Sequence, residues 1–151
     1  MLLRAAALAI LATLPAWAGE PIAGKWLLKH QEVAGKETTS NPLTLAVTPS
    51  GKSFEFAFIV TVNDKPVVSL KFTSSLDGSV AEVTGGDGKQ MGTAKVFRDG
   101  ESYKVLMEGS GRPAVTTHMT VSPDGKTLTS ESDVTTPSGV NVHTEQVFSL
   151  Q

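Results

Sequence analysis

The stretch SFEFAFIVTVNDKPVVSLKF, residues 53 to 72, decides the fold. Its first part places a large apolar side chain at every second position from Phe54 to Val62. Side chains of a β-strand point alternately to opposite faces, so this period of two predicts a half-buried strand. The residues NDKP at 63–66 favour a tight turn, because Asn, Asp and Pro each suit turn backbones. A second alternating run follows at 67–72, and the stretch therefore predicts a β-hairpin.

Similar runs and turns continue along the rest of the chain. Asp-Gly pairs, which favour hairpin turns because both residues tolerate a positive φ, stand at 77–78, 87–88, 99–100 and 124–125. After residue 18 no long window has the 3.6-residue period of a helix, so no substantial helix is expected. The predicted strands are near 25–30, 43–49, 53–62, 66–73, 80–84, 91–98, 102–109, 113–121, 126–134 and 140–149.

Hairpin-short connections predict that consecutive strands pair with one another. Closing such a sheet removes its two free edges, so we expect an all-β protein with a single antiparallel up-and-down barrel of about 8–10 strands. The exception is the polar link Gln31–Pro42, whose length is more typical of functional or mobile loops. We expect this link to cover the mouth of the barrel.

Composition limits the class of protein. The chain has 151 residues, enough for one ordinary domain. It has 13 Lys and Arg against 15 Asp and Glu, without a basic cluster, which argues against nucleic acid as a partner. It has no cysteine, which excludes disulfides, thiol chemistry and thiolate metal sites.

The first eighteen residues have the three-part pattern of a secretory signal peptide. Arg4 gives a basic start, an uncharged run from Ala5 to Leu14 follows, and Ala16-Trp17-Ala18 provides an A-x-A cleavage site. The apolar run is shorter than the roughly 20 residues that a spanning helix needs. We therefore expect cleavage after Ala18, a barrel domain over residues 19–151, and a secreted or periplasmic product without a membrane anchor.

Gly24-Lys25-Trp26 opens the first predicted strand and matches a G-x-W motif. With the run of hairpins and the stretch VSPDGKTLT at 121–129, the chain resembles small secreted bacterial lipocalin-like proteins of the calycin type, whose functions are mostly unassigned. Asp77-Gly78 leading to 83–85, and 147–148 near the end, add to the likeness. The resemblance implies an eight-to-ten-stranded barrel, open at one end, that holds a small apolar molecule.

Two further points bear on the resemblance. In lipocalins an arginine near the last strand usually covers the G-x-W tryptophan, whereas here no Arg or Lys follows Lys126. The link at 31–42 is too short for the paired helices of intracellular fatty-acid-binding proteins. This length favours the lipocalin-like branch.

Alternation also predicts which side chains point into the barrel. The apolar candidates are Trp26, Leu28, Leu45, Phe54, Phe56, Phe58, Val60, Leu70, Phe72, Tyr103, Val105, Met107, Val115, Met119, Leu128, Val140, Val142 and Phe148. Polar candidates on the same faces are Thr117, Ser130, Ser132, Thr144 and Gln146. Apolar walls with a few polar groups are typical of ligand sites, although a small barrel can also be filled by its own side chains.

From these candidates we predict a set of ligand-binding residues: Trp26, His30, Phe58, Phe72, Tyr103, Met107, Met119 and Ser130. His30 and Tyr103 are expected to contact the head group of a ligand. Phe54, Phe56 and Phe58 are expected to form core at the closed end.

No catalytic, metal or cofactor site is predicted. His118 and His143 lie on the faces opposite the apolar ones, and neither has an evident buried acid to orient it. Three hypotheses remain: a non-catalytic carrier of a small apolar molecule, a filled barrel that acts as an envelope-associated interaction module, and a calycin-type enzyme. We expect the first.

Overall fold

The computed structural model describes residues 19–151, and the predicted signal peptide, residues 1–18, lies outside them. Within the described part every regular element is a β-strand, and no helix is long and apolar enough to cross a lipid bilayer. The strands are β1 (Gly24–Val33), β2 (Lys36–Glu37), β3 (Leu43–Ser50), β4 (Ser53–Val62), β5 (Lys65–Ser74), β6 (Ala81–Gly85), β7 (Gln90–Asp99), β8 (Ser102–Gly109), β9 (Arg112–Val121), β10 (Thr127–Thr135) and β11 (Asn141–Leu150).

The strands form one antiparallel sheet that closes on itself. From β3 to β11 each strand pairs with the next one along the chain, β1 pairs with β3, and the short β2 lies at the edge of β1. β11 also pairs with β1, in a seam that runs from Trp26 opposite Leu150 to Val33 opposite Thr144. The predicted up-and-down barrel is confirmed, with ten strands in its wall and β2 beside them.

The turns follow the chemistry of the Asp-Gly pairs. Gly100, between β7 and β8, has φ +62°, and Gly125, between β9 and β10, has φ +71°. This left-handed region is open to glycine because it has no Cβ. The predicted turns therefore lie where the sequence placed them.

The barrel has a closed end and an open end. The closed end is where β1 begins and β11 ends; the open end is opposite. The inward-facing side chains nearest the closed end are buried, and Phe56 stacks on Phe72 with ring centroids 4.9 Å apart. This core consists of Ile22, Trp26, Leu45, Val47, Phe54, Phe56, Phe72, Leu76, Ala81, Val83, Ala94, Val96, Tyr103, Val105, Met119, Val121, Leu128 and Phe148.

The segment before β1 seals the closed end. Ile22 is fully buried, and its carbonyl accepts a hydrogen bond of 2.9 Å from the Trp26 indole N–H. The Glu20 carboxylate, with a side chain only 8% exposed, forms an ion pair of 3.0 Å with Arg98 and accepts a hydrogen bond from the Tyr103 hydroxyl. The arginine at this end therefore comes from β7, in the middle of the chain.

A β-bulge in β1 reverses the facing of its second half. Leu28 pairs with Phe148, but the next pair is His30 with Val147, so Lys29 is an extra residue without a partner in the seam. Because Phe148 points inward and Val147 outward, His30 also points outward. The prediction that His30 faces the barrel interior is wrong, and Gln31 and Val33 face inward in its place.

The prediction of a twelve-residue loop at Gln31–Pro42 is also wrong, because part of this segment is β-strand. β1 continues to Val33, and Lys36 and Glu37 return antiparallel to it as β2. The Thr38 N–H then donates to the Gln31 carbonyl at 2.9 Å, so much of the predicted loop is hydrogen-bonded to β1. Only residues 38–42 remain as a connection to β3, which is too short for a lid over the mouth.

One residue that was predicted to face the interior, Val140, lies outside the sheet at the open end. Val140 precedes β11 in the turn after β10 and is 57% exposed. Its backbone N–H donates to the Thr136 hydroxyl, and its carbonyl accepts from the Thr136 N–H. The turn therefore holds Val140 outside the sheet, and alternation first applies at Val142.

Candidate ligand site in the open half of the barrel

The candidate site is the barrel interior between the buried core and the open end. Here many inward-facing side chains are only partly buried, in contrast to those at the closed end, although Val83, Thr117 and Ser130 are buried. Since these side chains point into the barrel, their exposed surface borders its interior. Strand pairing divides them into two groups of different chemistry.

The first group is an apolar wall on β3 to β9. Its side chains meet through direct cross-strand pairs: Phe58 lies opposite Leu70 on one side, and Met107 lies opposite Val115 on the other. Such pairs on one face of a sheet are in contact. We define the apolar wall as Leu43, Phe58, Val60, Leu70, Val83, Met107 and Val115.

The second group is a polar wall on β9, β10, β11 and β1. Thr117, Ser132 and Thr144 form one continuous row across three strands, and the row ends on Val33. The next row toward the closed end contains Ser130, Gln146 and Gln31. We define the polar wall as Gln31, Thr117, Ser130, Ser132, Thr144 and Gln146.

Hydrogen bonds within the polar wall hold its side chains in place. The Thr117 and Ser132 hydroxyls are 2.8 Å apart. The Gln146 amide donates to the Gln31 carbonyl oxygen at 2.6 Å, and the Gln31 amide donates to the Thr38 hydroxyl at 3.0 Å. The Gln31–Gln146 bond also crosses the seam between β1 and β11, so the polar wall helps to close the barrel.

Two spaces open onto this region. A cavity of about 120 Å³, here called the inner cavity, lies against the apolar wall at Leu70, Val83, Met107 and Val115. A larger cleft of about 390 Å³ lies between the second half of β1 and residues 37–43. The cleft is bordered by inward-facing Leu28, Gln31 and Leu43 together with outward-facing Leu27 and His30, so it crosses the barrel wall.

The cleft exists because two neighbouring strands diverge. β1 and β3 pair only from Gly24–Val47 to Leu27–Thr44, whereas β1 continues to Val33. Beyond Leu27 the side of β1 that faces β3 has no partner in that strand.

The size of the inner cavity limits what it holds. Ligand pockets for drug-sized molecules are typically about 300–1,000 Å³, well above the 120 Å³ here. A ligand of that size therefore has to displace side chains or extend into the cleft. Met91 and Met107 border the inner cavity, and unbranched methionine side chains change rotamer readily.

The structure brings together only part of the predicted ligand set. Phe58 and Met107 lie in the apolar wall and are half-buried, while Ser130 lies in the polar wall with Met119 opposite it on β9. All four point into the barrel, and Met107 borders the cavity beside the apolar wall. They were chosen from alternation alone, which held on β4, β8, β9 and β10.

The other predicted site residues lie away from the open half. Trp26 and Phe72 are buried in the core at the closed end. Tyr103 is 1% exposed there, and its hydroxyl is occupied by Glu20. Burial, together with the hydrogen bond to Glu20, raises the pKa of Tyr103 well above its usual range.

His30 belongs to a cluster on the outer face. Its ring nitrogens lie 3.1 Å from Glu32 and 3.3 Å from Glu37, and the hydrogen bond with Glu32 raises the pKa of His30 above its usual value. His143 lies 2.8 Å from Asp133, and this hydrogen bond likewise raises the pKa of His143.

Between the two clusters Glu145 pairs directly with both Glu32 and Glu131. Like charges placed opposite each other destabilise a sheet, and protonated histidines beside them offset this repulsion. Among residues 19–151 no group of three or more His, Asp or Glu side chains is arranged to hold a metal ion.

Sequence reasoning missed Gln31 and Leu43. Leu43 is in phase with Leu45 on the same predicted strand and could have been included. Gln31 and Val33 are out of phase with Trp26 and Leu28 by one residue. That offset was the available signal of a bulge.

A scan against protein-family models gives no match, and a search of curated proteins gives none either. Solved structures do match. The zebrafish ileal bile acid-binding protein in complex with cholic acid is 16% identical, with a TM-score of 0.57, over 87% of this chain and 99% of that one.

Two other solved structures give similar figures. A secretory abundant heat soluble protein from Ramazzottius varieornatus is 13% identical, with a TM-score of 0.66, over 89% and 98% of the two chains. Lipid binding protein 8 of Caenorhabditis elegans is 12% identical, with a TM-score of 0.58, over 85% and 96%.

These structures have ten-stranded barrels of the fatty-acid-binding-protein type, the branch that the short link disfavoured in the sequence. Identities this low show a shared fold and do not choose between branches. The chain thus has a closed, ten-stranded, antiparallel up-and-down barrel, similar in fold to these structures.

Proposed function

We propose that this protein is a non-catalytic, lipocalin-like carrier that binds a small apolar molecule in the open half of its barrel. The observation that carries the proposal is the apolar wall, where Phe58, Leu70, Met107 and Val115 remain partly exposed inside the barrel. Their burial by a ligand would contribute about 25 cal/mol per Å² of apolar surface removed from water, before the cost of ordering.

The comparisons support the proposal in general terms. Two of the matching barrels are named for binding bile acid and lipid. The cavity beside the apolar wall and the cleft beside β1 give a ligand two places to contact in this chain.

Binding is tested with the uncharged fluorescent probe N-phenyl-1-naphthylamine, whose emission rises in apolar surroundings. Residues 19–151 should enhance this emission in a saturable manner. Met107→Trp fills the cavity beside the apolar wall and should weaken binding at least tenfold. Leu106→Trp is the matched control because Leu106 is the neighbouring, outward-facing residue on β8; it should bind like the unmodified protein.

Two outcomes would contradict the carrier function. One is a folded protein, checked by circular dichroism, that does not enhance probe emission. The other is equal loss of binding in both tryptophan variants, which would place the probe outside the barrel. An organic extract of the purified protein, analysed by mass spectrometry, would identify any molecule that is carried from the cell.

We also propose that the carrier acts outside the cytoplasm of a bacterium, as a secreted or periplasmic protein. The support is the signal-peptide pattern of residues 1–18. Expression of the full chain in a bacterial host, followed by fractionation and intact-mass measurement, should give a periplasmic product that begins at Gly19. A cytoplasmic product that retains residues 1–18 would contradict this proposal.

A further inference from the structure

We infer that the ligand is an uncharged amphiphile that has hydroxyl or carbonyl groups on one side, and that the polar wall recognises these groups. This inference rests on the proposed carrier function and names the chemical class that the same site takes. It depends on three features of the inner wall: the position of the polar wall, the nature of its groups, and the place of the buried charge.

The polar wall occupies a defined band. Its two rows lie between an apolar row nearer the open end, with Val115, Val134 and Val142, and another nearer the closed end, with Leu128 and Phe148. Successive rows on one face are about 6.6 Å apart, since each residue of a strand rises about 3.3 Å. A ligand that enters from the open end therefore passes apolar side chains before it meets hydroxyl and amide groups.

The band is also one-sided. It lies on β9, β10, β11 and β1, whereas the inward-facing residues in the open half of β4, β5 and β8 are Phe58, Leu70 and Met107. A ligand in the open half thus has apolar side chains on one side and hydrogen-bonding groups on the other. A hydrocarbon alone would leave the hydroxyls and amides that it covers without water, which costs about 1–3 kcal/mol for each unsatisfied group.

The groups of the polar wall are neutral and can both donate and accept. Serine and threonine hydroxyls rotate to suit either role, and glutamine provides a carbonyl and an amide. Ser130 and Thr117 are 2% and 7% exposed, so these contacts would form away from bulk water. Hydroxyl and carbonyl groups of a ligand match this set.

The inward-facing charge lies elsewhere. Arg98 faces inward at the closed end and is paired with Glu20 at 3.0 Å. Lys65 and Arg112 are exposed near the open end; Arg112 borders the cavity beside Met107 and Val115, toward the open end from the polar wall. A carboxylate placed against the polar wall would lose its hydration without meeting a cation there, and such burial is costly.

Three probes with the same acyl chain test the inference: 1-lauroylglycerol, methyl laurate and laurate. Each competes with N-phenyl-1-naphthylamine at neutral pH, below its aggregation concentration. 1-Lauroylglycerol should bind at least fivefold more tightly than methyl laurate, and at least tenfold more tightly than laurate. The first ratio reports recognition of hydroxyls, and the second reports exclusion of the charge.

A variant and its matched control assign the first ratio to the polar wall. The double variant Thr117→Val with Ser132→Ala removes both partners of one hydrogen bond, so it leaves no buried hydroxyl unpaired there. It should reduce the preference for 1-lauroylglycerol over methyl laurate to less than twofold. Thr116→Val with Thr129→Val removes two outward-facing hydroxyls from the same strands and should leave the preference unchanged.

The outcomes separate the inference from the carrier function. If N-phenyl-1-naphthylamine and all three lipids fail to bind, the carrier function itself is wrong. If laurate binds as tightly as 1-lauroylglycerol, the carrier function stands and the inference is overturned, because the carboxylate then lies at the rim or finds a cation. Equal binding of 1-lauroylglycerol and methyl laurate, or an unchanged preference in the inward double variant, also overturns it.

Discussion

Glu20 and Tyr103 are hydrogen-bonded across the closed end of the barrel although they are 83 residues apart in the sequence. Glu20 precedes the first strand, and Tyr103 lies near the start of β8. Their contact, together with the ion pair from Glu20 to Arg98, ties the segment that seals the closed end to the opposite wall.

Loss of the Glu20 carboxylate should therefore destabilise the barrel. Glu20→Ala removes an acceptor shared by Arg98 and the buried Tyr103 hydroxyl, and we expect the free energy of unfolding in urea to fall by about 2–3 kcal/mol. Glu101→Ala is the control, since Glu101 is an exposed acid at the same end. Equal stability of the two variants would show that the seal does not depend on Glu20.

Tyr103 should resist ionisation while the barrel is folded. Burial and the Glu20 carboxylate raise its pKa above that of an ordinary tyrosine, about 10, so the folded state favours the protonated hydroxyl. This stabilisation is present below about pH 10 and is lost as the pH rises further. The chain has one tyrosine, so absorbance at about 295 nm reports Tyr103 alone.

We expect tyrosinate to appear only together with alkaline unfolding, as followed by circular dichroism. Glu20→Gln removes the negative charge beside the Tyr103 hydroxyl. Relative to its own midpoint of alkaline unfolding, this variant should form tyrosinate at a lower pH than the unmodified protein does. Tyrosinate that forms near pH 10 in a fully folded protein would contradict the closed-end geometry.

The two outer histidine clusters should make the barrel more stable at mildly acidic pH than at mildly alkaline pH. The folded-state pKa values of His30 and His143 are raised by Glu32 and Asp133. Their stabilisation is thus fully present below about pH 6.5 and is lost as the pH rises through the raised values. The melting temperature should fall between about pH 5.5 and about pH 8.5.

The double variant His30→Gln with His143→Gln should flatten this dependence, with its largest effect at the acidic end. His118→Gln, on the neighbouring outer face of β9, is the matched control. A melting temperature that falls equally in the double variant would assign the dependence to other groups.

Gly78→Ala should destabilise the barrel more than a comparable substitution in an open turn. Gly78 has φ +83°, and a Cβ there would lie 2.2 Å from the Phe97 ring. Backbone strain and the clash together should cost about 2–4 kcal/mol. Gly100→Ala, at φ +62° with nothing within 4 Å, should cost only the strain, about 1–2 kcal/mol.

Phe97 provides the decisive test of that clash. It is 41% exposed, so Phe97→Ala alone should have a small effect. In the double variant Gly78→Ala with Phe97→Ala the clash is removed. The loss of unfolding free energy caused by Gly78→Ala should then be close to that caused by Gly100→Ala. Strict additivity of the two substitutions in unfolding free energy would exclude contact as the cause.

Alternation of polarity was sufficient to predict the architecture because it reflects which side of each strand is buried. The hairpin at 53–72 illustrates this: Phe54, Phe56, Phe58 and Val60 all point inward, and the NDKP turn lies between β4 and β5. The core and the closure of the sheet follow from the same rule. These parts of the fold need no information from distant residues.

The error at His30 arose where one extra residue reverses which face of the sheet the following side chains point to. Lys29 in β1 and Ser69 in β5 are both bulged, and each reverses the facing of the residues beyond it. His30 was assigned inward on unbroken alternation and lies outside. Whether a strand contains a bulge depends on its partners, and the partner of β1 lies at the other end of the chain.

The role of Tyr103 could not be predicted for a related reason. Its inward facing followed from β8 alone, but its hydroxyl partner, Glu20, comes from a segment without strand periodicity. Only the closed barrel brings the two together. A polar tip inside a barrel can equally meet a ligand or another part of the chain.

The seam between β1 and β11 has a consequence for how the molecule is made. The N–H of Gln151 donates to the Lys25 carbonyl at 2.9 Å, so residues from the two extremes of the described chain are direct neighbours. The seam joins residues as distant as Gln31 and Gln146, 115 positions apart in the sequence, so β1 can pair with β11 only after β11 has been synthesised, and contacts between such distant residues form slowly. Closure of the barrel at this seam should therefore be a late and slow step of folding.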